Sequence, residues 1–95
     1  MSGVDWRGNA PSWDQTRPQW QKVRNERPIP PRESQQTIWP PIRVTAWIVW
    51  EHDGLELIDT TAHLYAGRDV QVELVDARRE QIKWVWLASQ DVRRR

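Results

Sequence analysis

The chain has 95 residues, a formal net charge of +1, eight tryptophans, seven prolines and no cysteine. That length holds one domain, and the lack of cysteine excludes disulfides and thiolate metal sites. The longest apolar stretches, such as residues 46–50, are far too short to span a membrane. No basic segment followed by an apolar one opens the chain, so no signal peptide or membrane association is expected, and the cytoplasm is the default compartment.

Residues 1–41 read as an extended or partly disordered arm. All seven prolines fall in it, and each removes a backbone donor and disfavours a helical residue before it. Residues 27–31, Arg-Pro-Ile-Pro-Pro, should lie close to polyproline II. A short helix over 20–27 is compatible with the sequence. Trp6, Trp13 and Trp20 recur every seven residues, but Gly8, Pro11 and Pro18 oppose a continuous helix. An extended strap with regularly spaced aromatic anchors fits better.

Residues 42–95 read as β structure. Ile42, Val44, Ala46, Ile48 and Trp50 alternate with Arg43, Thr45, Trp47, Val49 and Glu51, a period-two strand of β-formers. Asp53-Gly54 is a strong hairpin signal. A second strand covers 55–66, a turn 66–69, and a third strand begins at Val70. Residues 76–81 form a charged turn, 82–87 a fourth strand, 88–91 a single 3₁₀ turn, and Val92 starts a short fifth strand.

That element order resembles an SH3-like barrel of the tudor type. The resemblance rests on Val44-x-Ala46, Asp53-Gly54, Val70-x-Val72 before Asp76, and the closing run 86–93. It implies an all-β fold: a small five-stranded barrel after the Pro/Trp-rich arm. Tudor-type proteins read methylated side chains with a cage of rim aromatics, and the resemblance extends to the strand order rather than to that cage. The segment Val85-Trp86-Leu87, with Asp91-Val92-Arg93-Arg94 after it, also resembles the ends of small orphan proteins of actinobacterial phages, which carry no function with them. Twelve of the fourteen basic residues are arginine and phenylalanine is absent. Both biases suit a GC-rich genome.

A barrel has one inside, yet two strands are apolar on both faces. The first carries Ile48 and Trp50 opposite Trp47 and Val49. The fourth carries Ile82, Trp84 and Trp86 opposite Val85 and Leu87. Something must cover part of the outside, or an apolar patch stays exposed. The arm is the nearest cover, and Ile38 and Trp39 are placed to fold back on the barrel. Trp47, Trp84 and Trp86 are expected in the core or under the arm.

No nucleophile signature or phosphate loop is present. His63 lies near Asp59, Tyr65 and Asp69 in sequence, but a metal site wants three or four ligands, and Glu51 and Asp53 flank a turn where solvation suffices. No catalytic, cofactor or metal residue is expected, and the chain reads as a non-enzymatic module that binds another protein. Trp6, Trp13, Trp20, Trp39 and Trp47 are the candidate contacts, tryptophan being enriched at binding hot spots. Docking of the arm tryptophans on the chain's own barrel is the structural counterpart. Residues 1–40 carry six basic and four acidic side chains, and 41–95 carry eight and nine. That balance excludes a generic polybasic nucleic-acid binder. A nucleic-acid alternative would use Arg7, Arg17, Arg24, Arg93, Arg94 and Arg95 on phosphates, with salt-sensitive affinity. A third reading makes the arm a strap onto a neighbouring subunit in a virion or oligomer.

Overall fold

A computed structural model gives the fold, and the structure describes residues 20–95. The fold is all-β. Strands β1 (Gln36–Trp50), β2 (Gly54–Ala66), β3 (Asp69–Glu73), β4 (Trp84–Ala88) and β5 (Val92–Arg94) form one antiparallel sheet in the order β4-β3-β2-β1-β5. Short 3₁₀ turns occupy Arg32–Ser34, Ala77–Arg79 and Ser89–Asp91.

Alternation along β1 builds the core. Val44, Ala46, Ile48 and Trp50 are buried, and the residues between them are half-buried. Ala62 of β2, Val72 of β3, Leu74, and Val85 and Leu87 of β4 complete the cluster. The inward face of β4 is therefore the Val85–Leu87 face. Hairpin turns fall where the sequence asks for them. Gly54 and Gly67 both have positive φ, 77° and 60°, which a residue with a Cβ adopts at a cost.

Several expectations need correction. The sheet is not closed into a barrel: β4 and β5 are its two edges and do not pair. Strand β1 begins at Gln36 rather than Ile42, so the start expected for the strand lies inside it. Gln36 and Thr37 pair with Tyr65 and Leu64, and pairing resumes at Ile42 opposite Ala62. Residues 38–41 thus stand opposite His63 alone, in a large bulge. Pro40 and Pro41 fit there because a bulge asks for no ladder donor. Strand β4 starts at Trp84, two residues later than expected, because Arg79 and its turn hold 79–82 outside the ladder.

The compatible helix over 20–27 does not form. Residues 21–27 instead make a clasp. Strand β5 pairs only with residues 44–46 of β1, which leaves the rest of that edge open. The clasp fills it: Arg24 N donates to Val49 O at 2.6 Å and Glu51 N donates to Lys22 O at 2.9 Å. Asn25 continues the ladder with its side chain. Its Nδ2 donates to Trp47 O at 2.8 Å and its Oδ1 accepts from Val49 N at 3.0 Å. The chain then crosses to β4, where Arg27 N donates to Trp86 O at 2.7 Å. Val23 enters the core between the two strands. The clasp therefore ties the far end of β1 to the β4 edge and supplies a lid for the core.

Candidate functional site

Three surfaces carry the candidate residues, and the clasp builds the most enclosed of them. Where the chain leaves the clasp it passes over the outer face of β4. Trp20, Glu26, Ile29 and Gln35 from this side meet Gln71, Arg79, Ile82, Trp84 and Trp86 around a cleft of about 470 Å³. The anticipated cover of the outer face is thus present, and Trp86 is only 3% exposed although it points away from the core. Trp84, expected to be covered, is instead exposed on the cleft wall, as are Ile29, Ile82 and Trp20. The Trp84 and His63 rings meet in a T-shaped arrangement, with centroids 5.0 Å apart.

Arg79 forms the polar floor of the cleft. It is 3% exposed. A buried guanidinium needs a partner, and Glu26 of the clasp provides one, with Nη1–Oε1 and Nη2–Oε2 both at 3.3 Å. The Trp20 ring lies 5.3 Å from the guanidinium carbon, and the Trp84 carbonyl accepts a longer contact from Nη2 at 3.5 Å. Arg79 Nε has no protein partner among the described residues. Apolar walls over a few fixed polar groups make a surface suited to binding.

The second surface is the outer face of the β1–β2 hairpin. Trp47 stands opposite Leu57 and Val49 opposite Leu55. Both leucines are exposed. Arg93 lies over the Trp47 ring, its guanidinium carbon 5.2 Å from the centroid, so Trp47 is half-buried and already engaged.

The third surface is the bulge of β1. Trp39 does not fold back on the sheet, contrary to expectation: it is 83% exposed, while Ile38 beside it packs against the core. Arg43, Arg94 and Arg95 lie alongside.

The remaining candidates separate. Trp6, Trp13, Arg7 and Arg17 lie outside the described residues. Arg24 hydrogen-bonds through its backbone to Val49, while Arg93 pairs opposite Thr45. Those β1 positions are four residues apart, roughly 13 Å along the strand. Arg95 is a strut rather than a free tail: its Nε donates to Val44 O at 3.2 Å and Nη2 to Thr60 O at 3.3 Å, with Asp59 at 3.6 Å. Among the described residues, Arg24 and the 93–95 run of the nucleic-acid alternative thus sit at separate places along β1.

Sequence reasoning missed Arg78 and Arg79, which looked like part of a charged turn. Arg78 bonds Asp53 at 2.9 Å, Glu56 at 2.7 Å and Asp76 at 2.8 Å. Its guanidinium carbon lies 3.9 Å from the Trp50 ring centroid. Asp53 is thus not merely solvated. The Gln21 amide and then Arg78 hold its carboxyl below the usual carboxylate range. Hydrogen bonding from Arg78 lowers Asp76 against the opposing effect of burial, and the same partners raise Arg78. His63 faces Glu73 at 3.8 Å and Trp84, not Asp59 or Asp69. Among the described residues no group of three or more His, Asp or Glu side chains could hold a metal ion, and no helix is long and apolar enough to cross a membrane.

Comparison with family models, with curated proteins and with solved structures finds no match for the chain.

Proposed function

We propose that this protein is a non-enzymatic protein-interaction module that receives an apolar peptide segment in the cleft between the clasp and β4. The observation that carries this reading is the exposed apolar wall of Trp20, Trp84 and Ile82 over the Arg79–Glu26 pair, whose guanidinium is buried. Rigid indoles fixed by a sheet and a hydrogen-bonded clasp lose little freedom on binding, which favours affinity. An SH3-like frame is consistent with the strand order and with the 3₁₀ turn before a last strand that returns to β1. The clasp then stands where such a frame would otherwise close.

Selection of a random peptide display library on the full chain tests the proposal. Selected peptides should be rich in large apolar side chains, and Trp84→Ala should weaken them by about tenfold or more, as loss of a hot-spot tryptophan does. Leu55→Ser with Leu57→Ser, on the opposite hairpin face, should leave them unchanged. The reading fails if the selected peptides ignore Trp84→Ala, or if they lose affinity only with the Leu55 and Leu57 changes.

A further inference from the structure

The cleft does not use the most exposed large hydrophobic side chain among the described residues. Trp39 is 83% exposed, and it is held on the crest of a bulge anchored by strand pairing on both sides, Thr37 with Leu64 and Ile42 with Ala62. Pro40 and Pro41 follow it, and proline fixes its own φ. Ile38 is packed against the core just before it. The indole is thus presented to solvent on a stiff support, with none of the burial that makes a tryptophan useful to stability.

Its surroundings are basic. A shallow depression of about 430 Å³ beside Trp39 is lined by residues 38–43 together with Arg94 and Arg95, and no carboxylate lines it. Asp59 is the acid paired with Arg95, at 3.6 Å. Arg95 is further committed to Val44 O and Thr60 O, which pins the end of β5 and so places Arg94. Arg43 and Arg94 have no ion-pair partner among the described residues, and both are exposed. A flat π surface beside two uncommitted guanidiniums is the pairing that single-stranded nucleic acid uses: a base stacks on the ring and the flanking phosphates take the charges. A duplex keeps its base faces stacked internally and offers nothing to a ring on a ridge. An acidic peptide would use the arginines and leave the indole idle.

We infer that the Trp39 ridge is a single-stranded nucleic-acid contact, with Trp39 as the stacking platform and Arg43 and Arg94 as phosphate partners. It shares no lining residue with the cleft, so the two surfaces stand or fall separately. The number of phosphates neutralised is small. For Z of two the affinity should fall with salt at a log–log slope of about −1.4.

The test is fluorescence anisotropy of a labelled oligothymidylate decamer titrated with the full-length protein across a salt series. Trp39→Ala should weaken binding by about tenfold or more, and Trp39→Phe should restore most of it, as expected of stacking. Arg43→Gln with Arg94→Gln should flatten the salt slope by about 1.4. Circular dichroism of each variant should match the wild type. Three results would each overturn the inference: no binding by the wild type at low salt, equal affinity for Trp39→Ala, or equal affinity for a duplex or a polyglutamate of matching charge.

Discussion

Strand β1 carries a tryptophan near each end, and the two have opposite fates. At the turn end Trp50 is 1% exposed. Its indole Nε1 donates to Glu56 at 2.9 Å, the Arg78 guanidinium covers its face, and Val23 of the clasp forms a bridge with it. At the other end Trp39 stands 83% exposed, on a bulge, among arginines. Both sit in one continuous strand, so residue type and secondary structure do not separate them. Coverage does. One end is roofed by the clasp and the 77–79 turn, and among the described residues nothing roofs the other. The first end holds the fold, and the inferred ligand contact falls on the second.

The largest expected effect falls on Trp50. Trp50→Ala removes a fully buried ring from the centre of the core cluster and leaves a cavity that the surrounding strands cannot fill. The cost should be about 3–5 kcal/mol, a large share of the stability of so small a domain. Urea denaturation followed by circular dichroism would show it as a lower midpoint with little change in slope. A loss below about 1 kcal/mol would mean that the clasp and turn are not the roof they look like.

Next comes Arg78, the bond between that roof and the hairpin. Arg78→Ala strips three carboxylates of a common partner and uncovers Trp50. Charge-assisted hydrogen bonds are strong, but Asp53 and Glu56 are half exposed and screened, so the net loss should be about 2–3 kcal/mol. The pH dependence sharpens the point. Arg78 lowers the folded-state pKa of Asp76. A carboxyl depressed on folding contributes stability that is complete above its unfolded value of about 3.9 and is lost as the pH falls through the folded value. Wild type should therefore lose thermal stability as the pH drops below about 4, and Arg78→Ala should lose less over the same window. Parallel melting curves would count against Arg78 as the source.

What the sequence showed and what it hid follow the same division. The period-two runs of β1 and β3, the continuous apolar run of β4, the Asp53-Gly54 turn and the 3₁₀ turn before β5 are local features, and each was readable from neighbouring residues. The clasp was not. Residues 21–27 have no strand period, and their role rests on partners 20 or more positions away, such as Asn25 with Trp47 and Val49. Arg79 looked like part of a solvated charge run because its carboxylate partner, Glu26, lies 53 positions away in sequence. Pro40 and Pro41 read as the end of an arm because proline ordinarily stops a strand, yet a bulge absorbs both. The cleft was half legible: the two-sided apolar pattern of β4 demanded a cover, and the arm supplied it, but only long-range pairing decides that Trp86 goes under the cover and Trp84 stays out.

The smallest expected effect is the most telling for the comparison. Trp39→Ala deletes the larger part of a big side chain, yet it removes almost no buried area, so the folded state loses few contacts. Stability should change by less than about 0.5 kcal/mol, the range of surface substitutions that touch no special feature. Ile38 and the flanking pairs, not the indole, hold the bulge in place. A urea midpoint equal to the wild type would confirm that the two ends of β1 divide their roles, and it would make any loss of oligonucleotide binding in the same variant a loss of contact alone. A drop approaching that of Trp50→Ala would reverse the assignment. It would mean that the ring leans on the sheet in solution, and that the exposed end of β1 is as much a part of the core as the covered one.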